Sequence, residues 1–473
     1  METIDTFYIG GTWVEPAPGF TQADIVNPAT ESVIGRLAMG TAGDADRAVA
    51  AARGAFRGWS ESTRDERIAL LERIIACYQA RLEDIAQAVR MEIGAPITLA
   101  RNVQATLGLE QLKATLAALR SFEFESTRGR NLVRREAIGV AVLITPWNWP
   151  LNQIAAKVAP AIAAGCTVVL KPSETAPLDA RIFAEVMHDA GTPAGVFNMI
   201  YGDGQTVGAA LSSHRDVDVV SITGSTRAGV QVAVNAASTV KRVAQELGGK
   251  SALLILDDAD LETAVRHGVL QCMGNSGQTC VAPTRMLVPR ERYDQAVRIA
   301  AATADAVTVG DPGDTAVSMG PLSSRAQYER VQGLIHLGVE EGARVVAGGV
   351  GRPQGLEQGY FARPTIFAGV RNDMAIAQEE IFGPVLVLIP HDGDDDAVAI
   401  ANDSPYGLAG YVASADVERA RRVATRLRVG SVRINGAPMD LSLPFGGYKQ
   451  SGNGREFGPE GISEYLETKA IMA

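Results

Sequence analysis

Between residues 138 and 237 the chain repeats one unit four times, a short apolar run followed by a helical stretch. The runs VAVLIT (140–145), CTVVL (166–170), VFNMIY (196–201) and VDVVSIT (from 217) are continuous rather than alternating. A strand apolar on both sides is covered on both faces, and strands joined through helices lie parallel. The stretches 150–164, 178–190, 205–212 and 225–237 supply those helices. Together they predict a doubly wound parallel sheet. A second set follows, with strands near 252–256, 284–288, 343–347, 385–389, 409–413 and 430–434. Helices near 260–275, 291–306, 323–340, 395–402 and 415–427 complete it as a second α/β domain.

The flanks read differently. Residues near 1–40 are short strands and turns, and 43 to about 120 is helical, with acidic residues opening the helix near Thr63. Residues 121–137 are polar and strand-like, which suggests a protruding hairpin to which the C-terminal ISEYLETKAIMA returns as a small β extension. With 473 residues, two or three domains are expected.

A net charge of −10 argues against nucleic acid or an anionic membrane as partner. Four cysteines, Cys77, Cys166, Cys272 and Cys280, have no paired spacing and point to a reducing compartment. No basic leader is seen, and no run approaches the ~20 apolar residues that span a bilayer, so the expectation is a cytoplasmic protein.

Ligands of a doubly wound sheet gather at the carboxyl ends of its strands. Here those ends carry Pro146-Trp147-Asn148-Trp149-Pro150, Lys171-Pro172-Ser173-Glu174, Gly202-Asp203-Gly204 with Gly208, and Gly224-Ser225-Thr226 with Gly229. Glycine at a strand-to-helix turn lets a phosphate approach free N–H groups. No G-x-G-x-x-G follows the first strand, so GSTRAG reads equally as a helix cap or a phosphate site. Lys171 is a solvated loop lysine or a ribose ligand, with Glu174 beside it for the ribose hydroxyls. Asn148 is a turn residue or an oxyanion donor. Cys280 follows the glycine-rich GNSGQT and precedes Pro283, which suits an inert buried thiol less well than it suits the other three cysteines. Glu246, before Leu247-Gly248-Gly249-Lys250, is a capping carboxylate or a general base. With five histidines, none near these features, a Cys–His hydrolase or zinc site is disfavoured.

These strand ends resemble the aldehyde dehydrogenase superfamily over essentially the whole chain. TPWNWP, LKPSE, ITGSTRAG, QELGGKS, GQTC, EEIFGP and PFGGYKQSGNGRE occur in register. The resemblance implies a catalytic set of Cys280, Glu246, Asn148 and Lys171. Cys280 would form a thiohemiacetal with an aldehyde, Glu246 would activate water to hydrolyse the thioester, and Asn148 would serve the oxyanion. A nicotinamide cofactor would lie along Ile144, Thr145, Pro146, Trp147, Lys171, Ser173, Glu174, Gly204, Gly208, Thr223, Gly224, Ser225, Leu247, Gly248, Glu380 and Phe382. Glu380 would hold the nicotinamide ribose. The implied cofactor is NAD, with NADP as the alternative, since Glu174 repels a 2′-phosphate. No metal is implied.

Trp149, Gln153, Ala156 and Phe445 would wall a pocket for an aromatic or medium-chain aldehyde. The carboxylate at Glu246 favours water over CoA as acyl acceptor, and Ala156 stands where succinate-semialdehyde members carry arginine. The implied domains are 1–118 with 138–249 for the dinucleotide, 250–448 for catalysis, and 119–137 with 449–473 for oligomerisation as a homodimer or homotetramer. The alternatives are a CoA-acylating or semialdehyde-specific enzyme, or a non-catalytic relative.

Overall fold

A computed structural model describes residues 2–473. The first apolar runs form one seven-stranded sheet in the order Arg242–Glu246, Val219–Thr223, Val140–Ile144, Thr167–Lys171, Phe197–Met199, Phe7–Ile9, Thr12–Val14. The first five pair in parallel and the N-terminal hairpin adds antiparallel. Val140–Ile144 is buried at every position, as its unbroken apolar run demands. The winding direction reverses between Val140–Ile144 and Val219–Thr223, which opens a crevice at their carboxyl ends.

The second seven-stranded sheet has the order Arg344–Ala347, Thr365–Ala368, Val385–His391, Arg285–Pro289, Ala252–Ile255, Ala409–Ala413, Ser431–Ile434. It is parallel except for Arg344–Ala347. The fold is thus the α/β architecture expected. Two three-stranded sheets complete it. Glu2–Ile4, Ser32–Met39 and Thr21–Asn27 form one, and Leu466–Ile471, Asn131–Ala137 and Glu125–Arg128 form the other.

The two large sheets meet head to tail. Glu246 ends a strand of the first, and Ala252 begins a strand of the second six residues on. Cys280, Glu380 and Tyr406 each precede an amino end in the second sheet. Carboxyl ends of one sheet therefore face amino ends of the other.

Several expectations need correction. Thr365–Ala368 is a strand the sequence did not suggest. The helix expected at 205–212 is a π turn, Gly204–Gly208, followed by the short helix Ala209–Ser213, because Asp203 caps the tight glycine turn through Thr206 N. Residues 449–456 do not run with the C-terminal tail. Ser451 O accepts from Leu247 N at 2.9 Å and Ser451 Oγ donates to Gly248 O at 2.6 Å, so this segment braces the Glu246 loop.

Candidate active site

Cys280 sits on a loop held in an uncommon conformation. Asn275, Ser276 and Gly277 have φ of 53°, 56° and 72°, three left-handed residues in succession. Such a turn persists only when its surroundings fix it. Gln104 Nε2 donates to Asn275 Oδ1 at 3.0 Å, Ser276 Oγ to Gly320 O at 2.8 Å, and Ser323 N to Gln278 Oε1 at 2.9 Å. At Gly277 a Cβ would lie 2.0 Å from Gly383 O, so only glycine fits. The loop delivers Cys280, half-buried, to the floor of a crevice of about 560 Å³.

Its walls are Pro146, Trp147, Asn148, Thr223, Gly224, Ser225, Leu247, Gly248, Glu380 and Phe382 from the expected set. Asn148 is buried and donates one Nδ2 hydrogen to Gln278 O at 3.0 Å, while Asn275 Nδ2 donates to Asn148 O. The other Nδ2 hydrogen is left for a ligand. Trp147 and Phe382 meet edge to face, 5.5 Å between ring centres. Glu380 Oε1 accepts from Gly249 N at 3.0 Å, and a Cβ on Gly248 would lie 2.2 Å from Glu380 Oε2. Burial lifts the Glu380 carboxyl to about 7. Ser225 Oγ accepts from Ala228 N, so it caps the helix Thr226–Ala236, whose first turn opens on the crevice.

A second cluster lies at the neighbouring strand ends. Lys171 Nζ donates to Gly202 O at 2.7 Å, Pro172 O at 3.1 Å and Glu174 Oε2 at 3.5 Å. Ser173 Oγ accepts from Thr175 N, and a Cβ on Gly208 would touch Lys171 Cδ at 4.0 Å. Thr145 N donates to Lys171 O, which joins Ile144-Thr145 to this cluster. Gly204 opens the adjacent π turn. Lys171 does not line the crevice with Cys280. Its amine is tied to the Gly202 turn.

Glu246 is 3% exposed and neither carboxyl oxygen has a partner among the described residues. Burial, then the Glu456 charge, raises its pKa well above the usual carboxylate range, against Lys157 and Arg455, which lower it. Burial also pushes the Cys280 thiol up to about 12, with Glu380 and Glu246 adding. Both shifts disfavour the charged form of each group. Lys157 Nζ bonds Glu456 Oε1 and, at 3.0 Å, Ser221 Oγ. Ala156 lines a small void together with Glu246 and Glu456.

Trp149 Nε1 donates to Thr279 Oγ1 at 3.0 Å, next to the thiol, and Gln153 N bonds Trp149 O. Phe445 stacks on Phe457 at 5.0 Å, and a Cβ on the next residue, Gly446, would lie 2.8 Å from Glu246 Oε1.

Thr226, named above among the strand ends, also lines the crevice, with Arg227, Gln327, Arg330 and Tyr406, which sequence reading missed. Gln327 Nε2 donates to Phe382 O at 2.7 Å and Arg330 Nη2 to Glu380 O at 2.8 Å. Their i,i+3 spacing at the start of Arg325–Glu340 puts them on one face, the only local signal they carry. Among the described residues no cluster could hold a metal ion.

A half-buried thiol, an amide donor and a carboxyl around a dinucleotide-sized crevice, with the Glu246 carboxyl acting on the thiol, suit an oxidoreductase working through a thiol adduct. Comparison with known proteins agrees. The aldehyde dehydrogenase family matches residues 13–471. A 3-succinoylsemialdehyde-pyridine dehydrogenase of a Pseudomonas species is 55% identical over 473 residues, covering 100% of this chain and 99% of its own. Aldehyde dehydrogenase C of Pseudomonas syringae, solved as a cysteine-to-alanine mutant with NAD+ and octanal, is 52% identical with a TM-score of 0.97, over 99% of this chain and 96% of that one. A Mycobacterium tuberculosis aldehyde dehydrogenase complexed with NAD+ is 42% identical with a TM-score of 0.97, over 100% and 98%. The chain belongs to the aldehyde dehydrogenase family.

Proposed function

We propose that the protein oxidises an aromatic or medium-chain aldehyde to the free carboxylic acid with NAD+, through an acyl intermediate on Cys280. The observation that carries this reading is the meeting of Cys280, Asn148 and Glu380 in one crevice, with Glu246 buried and unpartnered nearby. The crevice suits a pyridine dinucleotide: Glu380 lies in a cradle only glycine permits, and Thr223 Oγ1 lacks a partner among the described residues. NAD+, when bound, supplies the hydride acceptor and a positive charge that favours the thiolate.

Cys280 Sγ bonds to the carbonyl carbon, its proton passing to solvent, while the π pair moves to oxygen. There the free Asn148 Nδ2–H and the Cys280 N–H donate. Loss of hydride from that carbon leaves a thioester. Glu246 takes a proton from water as the water oxygen attacks, the C–S bond breaks with its pair on sulfur, and the acid departs.

Trp149, Gln153 and Phe445 are the proposed substrate wall. An apolar chain or ring suits the two aromatics, in keeping with the pyridine-bearing semialdehyde and the octanal in the relatives' names. The proposed dinucleotide region is 1–118 with 138–249, the catalytic region 250–448, and 119–137 with the tail the oligomer contact. We also propose a homo-oligomer, dimer or tetramer, in the cytoplasm. Four free cysteines accord with a reducing compartment, and no described helix is long and apolar enough to cross a membrane.

The test is NADH formation and product analysis over a panel of aldehydes. Cys280→Ala is expected to abolish turnover. Glu246→Gln is expected to keep a first burst of NADH while steady turnover falls about 10²–10⁴-fold. Turnover that continues in Cys280→Ala, or a product formed only with CoA, overturns the reading.

A further inference from the structure

Oxyanion donation by Asn148 depends on which way its amide faces, and a chain of buried amides decides that. Asn148 Nδ2 and Asn275 Nδ2 both donate to Gln278 O, at 3.0 Å and 3.2 Å, and Asn275 Nδ2 also donates to Asn148 O at 2.9 Å. A backbone carbonyl only accepts, so these contacts fix both side chains with nitrogen towards the carbonyls. Asn275 Oδ1 therefore points the other way. There Gln104 Nε2 donates to it at 3.0 Å, the one hydrogen bond this oxygen receives among the described residues.

Gln104 lies 171 residues from Asn275 in the chain. It is buried and ends the π turn Ala100–Gln104, which stands between the short helix Ile97–Leu99 and the helix Ala105–Ser121. Ala105 N there donates to Ala100 O, five residues back, a geometry poorer than that of an α-helix and frequent at functional sites. Gln104 Oε1 has no partner among the described residues, so the bond to Asn275 is the only one its side-chain amide makes there. A buried, half-satisfied amide costs stability that an apolar side chain of the same size would not. Packing alone therefore does not account for a glutamine at this position.

We propose that Gln104 is a positioning residue for the oxidation: by donating to Asn275 Oδ1 it holds the Asn275 amide against Asn148 O and Gln278 O, which leaves the second Asn148 Nδ2 hydrogen aimed at the aldehyde oxygen. The inference rests on the oxyanion role proposed above for Asn148. Without the Gln104 donor, the Asn275 oxygen is buried and unpaired, and the amide is no longer held in one orientation. A buried polar chain is rigid only while each of its links is satisfied. Asn148 then keeps its own bond to Gln278 O but loses the brace on its backbone carbonyl. Gln104 does not line the crevice, whereas Asn148 and Cys280 do. Its influence therefore falls on the stabilisation of charge at oxygen, and so on kcat, rather than on cofactor binding.

A double-mutant cycle on the full chain, read by NADH formation with one aldehyde, tests this. Gln104→Met removes the donor and keeps the bulk. It is expected to lower kcat about 10-fold, part of the roughly 10²–10³ that a whole oxyanion donor supplies, with KM for NAD+ within about twofold of wild type. In an Asn148→Ala background the same substitution is expected to cost less than about twofold, because the amide it positions is gone. Additive losses beside an impaired Asn148→Ala enzyme overturn this inference alone, since they place the effect on another group. An unchanged kcat in Gln104→Met overturns it as well. Full activity in Asn148→Ala overturns the oxyanion role itself, and this inference with it. Gln104→Leu, which also lacks the donor, carries the same cycle should the methionine variant not fold.

Discussion

Burial and nearby carboxylates raise the pKa of both groups that must be deprotonated to act, Cys280 to about 12 and Glu246 well above the usual carboxylate range. A raised pKa disfavours the active, deprotonated form, whose share grows as pH rises. kcat/KM is therefore expected to climb from neutral into alkaline pH, by up to about tenfold per unit for each group below its pKa. Glu456→Gln removes a charge that raises Glu246 and leaves Lys157 to lower it, so the limb contributed by Glu246 is expected to move to lower pH; a pH–rate profile of both proteins checks this. Glu174, its side chain 42% exposed and 3.5 Å from Lys171 Nζ, is where a 2′-phosphate would meet like charge in the proposed pose. Glu174→Gln is expected to raise kcat/KM for NADP+ relative to NAD+, measured as the ratio of the two.

At the scale of the element, the turn before Cys280 decides more than any helix or strand. Gly277→Ala places a methyl against Gly383 O in a backbone region where alanine costs roughly 1–2 kcal/mol before any clash. It is expected to displace Cys280 and cut kcat sharply, while affinity for NAD+, read by quenching of Trp147 fluorescence, falls less. Gly248→Ala should do the converse, because its methyl displaces Glu380: KM for NAD+ rises more than kcat falls. The sequence showed that GNSGQTC is a loop and Gly248 a special position, since glycines there interrupt apolar patterns. It did not show that Asn275 and Ser276 are left-handed, because asparagine and serine also sit in ordinary turns. Gln327 and Arg330 went unread for a similar reason, being polar residues on an amphipathic helix that looks solvated until the Glu380–Phe382 segment lies against it.

At the scale of the whole molecule, one surface is unusually apolar. Val230 and Val234 are 56% and 64% exposed on successive turns of Thr226–Ala236, and Val240 is 92% exposed with φ of 56°. A β-branched residue in that conformation is rare, and exposed apolar stripes mark contacts. Val234→Asp is expected to lower the oligomer seen by sedimentation velocity, with the monomer's folded spectrum kept.

What the sequence determined by itself was the α/β texture and the strand ends that carry chemistry. Continuous apolar runs and glycine-marked turns are local signals, and each is fixed by the burial or the backbone freedom of a few neighbouring residues. The tertiary structure decided which of those ends face one another. It tied Lys171 to the Gly202 turn, set Ala156 with Glu246 and Glu456 around one small void, and brought Ser451 and Glu456 from the last residues to brace and charge the base. It also brought Gln104 to Asn275. Such facts depend on two sheets meeting carboxyl end to amino end, and distances across that junction join residues too far apart in the chain for any local pattern to register.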